Sequence, residues 1–497
     1  MAGEPIRSVI VAGDGIVAWS AAAALKRRIP DLAVAVVSTS SSPALSDRIA
    51  ATLPSILDFH RDLGLGEENT IVRAGSSFRL GVALDGWNEG GAPFVHAYGE
   101  YGRPFGTTSF HLHWIRLQLE GKAPPFDSHC GPAAMGRAGR FLPPRPATQA
   151  ALGAFGFGLR LDLPRYREMI RAYALHLGTV ERRCGISGVR LRDSDGFIAA
   201  LRLDDGSEAQ ADLFVDCTGP AARIRSALDD GWEDWSRWLP CDRLVLAHSA
   251  AVADPDPLDR ATAIRAGWRW RSEGLAATSH GMVYASHHMD DESAAQALAE
   301  AGAGEPSAPL GFESGCRPEP WLRNCVAVGE SAVSVEPLEW TNLHLAHNAI
   351  DRIVSMMPDR DCDRVELANY NREALAEARR VRDFLALHYL CASRHEPFWR
   401  EAASIEPPAS LGHSLNLFRE RGRLPYYEEE TFARDSWLAV LLGLGVIPRR
   451  TDPLIDSVQS GQAEQAMARM RAAIGAIVPN LPTQAAFLRN LTRPATR

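Results

Sequence analysis

The chain has 497 residues, of which 46% are hydrophobic and 23% are charged, and its formal net charge at pH 7 is −8. This composition is typical of a soluble globular protein of two interlocked modules, and the acidic balance gives no reason to expect nucleic acid or an anionic membrane as a partner. The eight cysteines form no C-x-x-C pair, and the longest apolar run near the end, residues 437–447, is about half of a membrane span. We therefore expect a cytoplasmic protein with reduced thiols, without a zinc site, a disulfide scaffold or a signal peptide.

The first predicted element is a buried strand that runs into a glycine turn. Residues 9–12 are apolar, the turn contains Gly13 and Gly15, and residues 20–25 open an alanine-rich helix. The G-x-G-x-x-A pattern, which ends at Ala18, matches the dinucleotide-binding fingerprint. Gly13 permits a tight turn, Gly15 lets the backbone approach a pyrophosphate, and Ala18 keeps the helix close to the sheet. The sequence thus predicts a nucleotide site at a helix N-terminus, and the alternative is a tight turn that binds nothing.

A second apolar strand, residues 33–37, completes a βαβ unit. At the end of this strand the fingerprint usually has an Asp or a Glu that binds the ribose hydroxyls, whereas this chain has Ser38. A serine hydroxyl can still bind a ribose, although less strongly than a carboxylate. Ser38 is therefore one of the predicted nucleotide-binding residues.

The middle of the chain alternates short elements with loops. The predicted elements are, in order, a helix over residues 51–63, a strand over 77–84, a helix over 166–177 and a hairpin over 189–208 that turns at 193–196. Prolines mark long loops of the kind that often cover substrate in α/β enzymes, namely Pro124, Pro125, Pro143, Pro144 and Pro146.

Two later strands end in glycine turns. Residues 211–217 run into Thr218 and Gly219, and residues 325–328 run into Gly329. Strand ends of this kind commonly lie against the nucleotide in flavin monooxygenase-like folds. Both glycines are therefore candidates for cofactor binding.

The last third of the chain is predicted to be mostly helical. A helix over residues 344–357 precedes a helical region that begins at residue 365 and has its longest periodic segment at 373–390. His344 and His347 lie one turn apart on the first of these helices. No third ligand lies near them in the sequence, so no metal site is predicted.

Together these segments resemble the flavin-dependent tryptophan halogenase family from about residue 8 to about residue 455. Residues 212–219 are similar to the family's DLFIDCSG segment, residues 267–270 to its W-x-W region, and residues 337–341 to its PLEST segment. Further similar positions are residues 13–19, 78–81 with Trp87, 232–243, 281–284, 370–372, 382–384, 388–389 and 398–399. Each motif alone is modest evidence, and their shared order and spacing carry the resemblance.

The resemblance implies an α/β fold with a Rossmann-like FAD-binding module of the flavin monooxygenase and halogenase type. We predict this module, with an interleaved substrate-facing sheet, over residues 1–355, and a mainly helical C-terminal module over residues 356–497. The implied reaction uses FAD, reduced by a separate flavin reductase that binds transiently, and oxygen. A halide ion becomes hypohalous acid, which halogenates an indole or another electron-rich aromatic. The predicted cofactor-binding residues are Gly13, Gly15, Ile16, Ala18, Trp19, Ser38, Gly219, Gly329, Thr341 and Asn342.

Two positions are predicted to carry the chemistry. Glu339 stands at the position of the family's glutamate, where a carboxylate suits removal of the ring proton. Arg79 stands at the position of the family's catalytic lysine, but a guanidinium stays charged and can only donate hydrogen bonds. Arg79 could therefore orient a hypohalous acid or an anionic substrate, but it could not form a haloamine.

Three tryptophans are predicted to bind substrate. Trp268 and Trp270 alternate on a strand and so point to one face of it. Trp340 follows Glu339 and replaces a serine of the family motif. A role in the core or in the pocket wall is the alternative for Trp268 and Trp270.

Departures from the family pattern leave three hypotheses open. They are Ser38, Arg79, Trp340, Ile49-Ala50 in place of Gly-Glu, and Ser272-Glu273 in place of Ile-Pro. The first hypothesis is a halogenase-like oxidoreductase. The second is an FAD-dependent relative of the monooxygenase type that oxidises its substrate without halogenation, and the third is a non-catalytic binding protein. The oligomeric state is open, with a homodimer as one option.

Overall fold

The computed structural model describes residues 3–39, 44–426 and 431–491. Its strands are β1 (Ser8–Ala12), β2 (Ala33–Val37), β3 (Ser77–Arg79), β4 (Gly81–Asp85), β5 (Phe94–Ala97), β6 (Gly158–Arg160), β7 (Val180–Arg182), β8 (Ile186–Leu191), β9 (Ile198–Leu203), β10 (Glu208–Ala209), β11 (Leu213–Asp216), β12 (Glu233–Asp234), β13 (Arg243–Ala250), β14 (Leu258–Ile264), β15 (Gly267–Glu273), β16 (Ala277–Tyr284), β17 (Leu310–Gly311), β18 (Gly315–Cys316), β19 (Trp321–Leu322), β20 (Cys325–Ala327) and β21 (Val333–Ser334). Its helices are α1 (Ile16–Arg28), α2 (Ser55–Asp62), α3 (Glu67–Arg73), α4 (Phe110–Leu119), α5 (Gly131–Arg137), α6 (Pro146–Leu152), α7 (Leu163–His176), α8 (Asp291–Glu300), α9 (Asn342–Ser355), α10 (Arg364–Leu390), α11 (Pro397–Ser404), α12 (Ala409–Arg421), α13 (Arg434–Gly443), α14 (Ser460–Ile477) and α15 (Gln484–Leu491).

The residues divide into two compact units that interleave along the chain. The first unit comprises residues 1–76, 161–236 and 310–379, and the second comprises residues 77–160, 237–309 and 380–497. The predicted modules, 1–355 and 356–497, divide the chain by sequence order instead, and that boundary stays a prediction. Among the described residues, no helix combines the length and the apolar character that crossing a membrane requires.

The first unit is built around a six-stranded sheet of order β19-β20-β11-β1-β2-β7. β1 lies between β11 and β2 and is parallel to both, with Ile10 opposite Phe214 on one side and Ala35 on the other. The last four residues of β1 are buried, as expected for a central parallel strand that is covered on both faces. The predicted strands at β1, β2, β11 and β20 are therefore confirmed. In a sheet of this Rossmann-like kind, ligands bind at the carboxyl ends of the strands.

Helix α1 begins earlier than the sequence predicts. Its predicted start is at residue 20, whereas the helix begins at Ile16, directly after Gly15. Residues 16–25 are all buried, and α1 packs against α7 and α9. The first turn of α1 is buried, and this packing stabilises the helix from Ile16 onward. The alanine content of residues 20–25 does not indicate this earlier start.

The larger sheet of the second unit contains the strand order β13-β16-β15-β14-β4-β5. The single strand predicted over residues 77–84 is wrong, because β3 pairs with β6, whereas β4 pairs with β5 and β14. Gly81 begins β4 with a φ of 151°, and a Cβ there would overlap the carbonyl oxygen of His96. Only glycine suits this close approach of two backbones, and the chain changes sheets beside it.

The prolines predicted to mark long loops flank short helices instead. Residues 110–152 contain α4, α5 and α6, and Pro146 is the first residue of α6, where its missing N–H costs nothing. The predicted hairpin is confirmed as β8 and β9. Helices α10 to α15 follow residue 363, and α10, with 27 residues, is the longest helix in the described part of the chain.

Candidate functional site

The glycine turn lies between β1 and α1, at the carboxyl edge of the sheet in the first unit. Gly13 has a φ of 135°, and a Cβ there would lie 2.5 Å from the carbonyl oxygen of Cys217, directly after β11. The same Cβ would lie 3.2 Å from Cβ of Ala18. Close packing of the turn on β11 and α1 therefore requires a glycine at position 13.

Asp14, between the two glycines, organises the polar side of the turn. Its Oδ1 accepts hydrogen bonds from the Ser38 hydroxyl at 2.7 Å and from the Trp19 indole at 3.3 Å. Arg167 of α7 pairs with Oδ1 at 2.5 Å and donates to the Asp14 carbonyl at 2.6 Å. A carboxylate is thus present beside Ser38, although it comes from the turn and not from the second strand. The fingerprint leaves position 14 open, so neither Asp14 nor Arg167 is evident from the sequence.

Asp47 lies at the N-terminus of α1. Its Oδ1 accepts a hydrogen bond from the Ile16 backbone N–H at 2.7 Å, and its Oδ2 lies where a Cβ on Gly15 would be. Burial raises the pKa of this carboxyl, and the Ile16 N–H and the charge of Arg167 offset the increase only in part. The place at which the fingerprint puts a pyrophosphate therefore holds a carboxylate of the chain itself.

Glu330 ties the segment that carries Asp47 to the end of a strand. It follows Gly329 after β20, and its two carboxylate oxygens accept hydrogen bonds from the Ser46 N–H at 2.8 Å and the Ser46 hydroxyl at 3.0 Å. Burial raises the pKa of Glu330, and the nearby charge of Asp47 adds to the increase. The short 3-10 turn Leu45–Asp47 is thereby held across the carboxyl edge of the sheet.

The other predicted cofactor glycines lie at the same edge. Gly219 follows β11 with a φ of 78°, and Gly329 follows β20 with a φ of 65°. Ser331 donates to the Gly219 carbonyl at 2.9 Å, and a Cβ on Gly329 would lie 3.2 Å from Val17 of α1. The fold brings Gly13, Gly219 and Gly329 to one edge of the sheet, and their contact with a cofactor stays a prediction.

Glu339 and Trp340 adopt a backbone conformation that is rare outside glycine. Their φ angles are 63° and 56°. Each residue held in such a region costs about 1–3 kcal/mol, and such residues cluster at functional sites. Both side chains are buried, at 0% and 2% exposure, so the surrounding packing maintains this conformation.

Thr341 and Asn342 form the N-terminus of α9, directly after this strained pair. The Asn342 amide donates to the Val335 carbonyl at 3.1 Å. Within the described part of the chain, the Thr341 hydroxyl is buried without a hydrogen-bond partner. A buried hydroxyl at a helix N-terminus is a suitable donor for an anion.

Arg79 lies in the second unit, at the end of β3, and belongs to a buried ion cluster. Its Nε donates to Oδ2 of Asp259, and the Nε of Arg160 donates to Oδ1 of the same carboxylate at 2.6 Å. Side-chain exposure is 0% for Arg79 and Asp259 and 2% for Arg160. Burial disfavours the ionised form of Asp259, but the charges of Arg160 and Arg79 outweigh it and lower the pKa. Asp259 lies 180 positions from Arg79, and no local pattern in the sequence indicates the pairing.

Carbonyl oxygens and an aromatic ring surround the guanidiniums of the Arg79, Arg160 and Asp259 cluster and stabilise their positive charge. Arg160 donates from Nη1 to the carbonyl oxygens of Phe78 at 3.0 Å and Glu273 at 3.3 Å. The guanidinium carbon of Arg79 lies 5.0 Å from the centre of the Tyr98 ring, within the range of a cation–π interaction. The guanidiniums of Arg79 and Arg160 therefore share the carboxylate of Asp259.

Trp268 and Trp270 lie on one face of β15, as predicted, with their ring centres 5.6 Å apart. Their exposure is 0% and 3%. The ring of Trp270 covers Gly281 of β16, where a Cβ would overlap it. Both rings are part of the interior of the second unit, and a role in substrate binding stays a prediction.

The first unit fits an FAD molecule in most respects. The glycine turn offers a close backbone approach, Arg167 offers a positive charge, and Asp14 with Ser38 offers acceptors for ribose hydroxyls. The carboxylate of Asp47, at the N-terminus of α1, opposes an anion there. Among residues 3–39, 44–426 and 431–491, no group of three or more His, Cys, Asp and Glu side chains is arranged to hold a metal ion.

Comparisons with known proteins agree with the motifs along the whole chain. A family model described as tryptophan halogenase matches residues 8–460. BrvH, a flavin-dependent halogenase from Brevundimonas sp. BAL3, is similar in structure, with 34% identity, coverage of 98% of this chain and 99% of that chain, and a TM-score of 0.92. Tryptophan 6-halogenase ThaL from Streptomyces albogriseolus is 27% identical over 98% of both chains. Tryptophan 7-halogenase RebH from Lentzea aerocolonigenes is 26% identical over 90% of this chain and 91% of the relative.

Proposed function

This chain belongs to the tryptophan halogenase family, and from that premise we propose that it halogenates an indole or another electron-rich aromatic with a halide, oxygen and FAD that a separate reductase has reduced. The relatives named above are flavin-dependent or tryptophan halogenases, which supports a flavin cofactor and an aromatic substrate. These comparisons do not favour the monooxygenase-type relative or the non-catalytic binding protein. Assembly as a homodimer stays a prediction.

The FAD site is proposed at the carboxyl edge of the sheet in the first unit. Bound there, reduced FAD supplies the activation of oxygen. Gly13 and Gly15 let the backbone approach the pyrophosphate, and Asp14 with Ser38 accepts hydrogen bonds from the ribose. The remaining proposed contacts are Ile16, Ala18, Trp19, Gly219, Gly329, Thr341 and Asn342.

The halide site is proposed at the N-terminus of α9. An anion there would interact with the positive end of the helix dipole and with the buried Thr341 hydroxyl. The strained residues Glu339 and Trp340 place this N-terminus directly after the proposed base. The halide and the carboxylate would therefore share one short segment.

The proposal rests mainly on the burial and the backbone conformation of Glu339. Glu339 has the family's Pro-Leu-Glu setting, a fully buried side chain and a left-handed backbone followed by a second left-handed residue. Backbone strain of this kind is maintained where a side chain must be held in one orientation. A buried carboxylate is suited to take the proton that an aromatic ring loses on halogenation.

Arg79 is proposed to act as a fixed cation. Asp259 and Arg160 hold it in the buried cluster, and a guanidinium in this setting stays charged. It can donate hydrogen bonds to a hypohalous acid or to an anionic substrate group, and it cannot take up halogen as a neutral amine would. Asp259 is therefore proposed as a positioning residue for Arg79.

Trp268, Trp270 and Trp340 remain candidates for substrate contact. Aromatic side chains bind indole-like rings by stacking and edge-to-face contact. All three are buried, so each would act as part of a pocket wall.

The test is a halide-dependent turnover assay. The purified chain is incubated with FAD, NADH, a flavin reductase, indole, and either bromide, chloride or no halide, and products are identified by mass spectrometry. We expect halogenated product only with halide, and a loss of about 100-fold or more in Glu339→Gln, because general-base catalysis typically contributes this much.

Glu313→Gln is the matched control, because Glu313 is an exposed glutamate of the same unit. It should retain full turnover. An oxygenated product that forms equally with and without halide would contradict halogenation, and full turnover of Glu339→Gln would contradict the assigned base.

A further inference from the structure

A carboxylate of the chain occupies the anion position of the dinucleotide turn. Asp47 Oδ1 accepts the Ile16 N–H at 2.7 Å, and this is the first N–H of α1. Its Oδ2 takes the space beside Gly15 that the absence of a side chain leaves open for a pyrophosphate. Carboxylate and phosphate oxygens are both acceptors for N–H groups at a helix N-terminus, so they compete for the same position.

From this overlap we propose that Asp47 is an internal competitor of FAD, which must leave the glycine turn before the pyrophosphate can bind. The proposal rests on the proposed function, because it concerns the same cofactor site. It makes Asp47 the residue that sets how tightly this chain binds a flavin dinucleotide. A flavin without phosphate groups does not meet this competitor.

The contacts of the segment indicate how it can release its carboxylate. Ser46 is held by two hydrogen bonds to Glu330, whereas the Asp47 carboxylate accepts a hydrogen bond from the backbone N–H of Ile16. The neighbouring cation, Arg167, is engaged with Asp14 at 2.5 Å. Asp47 can thus swing away from α1 while Ser46 stays on Glu330.

The electrostatics support displacement by the cofactor. Burial raises the pKa of Asp47, so its ionised form is incompletely compensated where it lies. A pyrophosphate brings more negative charge to the same helix N-terminus and to Arg167. Both anions cannot occupy the turn together, because their like charges would lie in contact.

The test compares flavins with and without phosphate. Binding of oxidised FAD and of riboflavin is titrated by fluorescence anisotropy for the unmodified chain, Asp47→Ala, Asp47→Asn and the control Asp205→Asn. Asp205 is exposed and accepts the Ser207 N–H at 2.9 Å in a turn of the same unit, so the control makes the same charge change elsewhere.

We expect the dissociation constant for FAD to fall by about 10-fold or more in Asp47→Ala, since both the charge and the competing group are removed. Asp47→Asn removes only the charge and keeps a cap for α1, so its gain should be smaller. The constants for riboflavin should be equal in all four proteins, and Asp205→Asn should bind FAD as the unmodified chain does.

Unchanged FAD affinity in Asp47→Ala would overturn the inference and leave the proposed function standing. An equal gain for riboflavin would also overturn it, because the effect would not depend on phosphate. If none of the four proteins bound FAD, the proposed function would fail as well. Thermal unfolding checks that the variants are folded. If Asp47→Ala does not fold, the FAD affinity of Asp47→Asn tests the inference instead.

Discussion

The glycine turn of the first unit and the Arg79 cluster of the second each place a charged side chain where the family pattern leads us to expect another group. Asp47 stands where a pyrophosphate is expected, and Arg79 stands where a lysine is expected. The Asp47 carboxylate accepts a hydrogen bond from the backbone N–H of Ile16. Arg79 is held by a carboxylate that a second guanidinium also binds.

The pKa values of Asp47 and Asp259 are shifted in opposite directions. Burial raises the pKa of Asp47, because the groups around it compensate its charge only in part. The pKa of Asp259 is lowered although burial opposes this, because Arg160 and Arg79 outweigh the desolvation. The charge of the carboxylate at the turn is therefore compensated only in part, whereas the two guanidiniums of the cluster more than offset the burial of Asp259.

The largest effect is expected from Asp259→Asn. It leaves two buried guanidiniums without their carboxylate, so the free energy of unfolding should fall by about 3–5 kcal/mol, as measured by urea denaturation. Arg260→Met is the control, because it breaks the exposed pair of Arg260 with Asp256 and should cost about 0.5 kcal/mol or less. A loss no larger than the control would refute the fixed cluster.

A smaller loss is expected from Arg79→Met. The pair of Arg160 and Asp259 remains, so the free energy of unfolding should fall by about 1–3 kcal/mol, less than in Asp259→Asn. Halide-dependent turnover should be lost, since the fixed cation is removed. A destabilisation equal to that of Asp259→Asn would show that the remaining pair of Arg160 and Asp259 contributes no stability.

Arg79→Lys tests whether a lysine alone would restore the family's chemistry. Asp259 would stabilise the ammonium form and raise the pKa of the new lysine, so the amine should stay protonated. We expect no increase in the rate of halogenation over the unmodified chain in the turnover assay. A clear increase would show that the introduced lysine can lose its proton beside Asp259.

The smallest effect on stability is expected from Asp47→Asn, and its pH dependence should be opposite to that of Asp259. The groups that act on Asp47 are Arg167 and Arg48, which favour its ionised form, and Asp14 and Glu330, which oppose it.

Because the pKa of Asp47 is raised in the folded state, its ionisation costs stability above that pKa, and the cost disappears as the pH falls through it. Asp47→Asn should therefore stabilise the chain at pH 7 by about 1 kcal/mol or less, with no gain in acid. The lowered pKa of Asp259 has the reverse effect, since its contribution is present above the ordinary value of 3.8 and is lost as the pH falls below it. Urea denaturation at several pH values measures both.

The glycine turn, the βαβ unit around it and the family could be predicted from the amino-acid sequence. The comparisons confirm the Rossmann-like fold class, the flavin cofactor and the halogenase-type activity that the resemblance implied. These features can be predicted because they depend on local patterns, such as apolar strands that end in glycine turns, and on the order of short motifs.

The amino-acid sequence does not show which charged side chains lie in contact. Asp47 reaches Ile16 across 31 positions, and Arg79 reaches Asp259 across 180. The early start of α1 and the break between β3 and β4 likewise depend on contacts with distant segments. A periodic pattern records which face of an element is buried, but it does not record which distant side chain shares that interior. The electrostatics of both sites therefore follow from the fold.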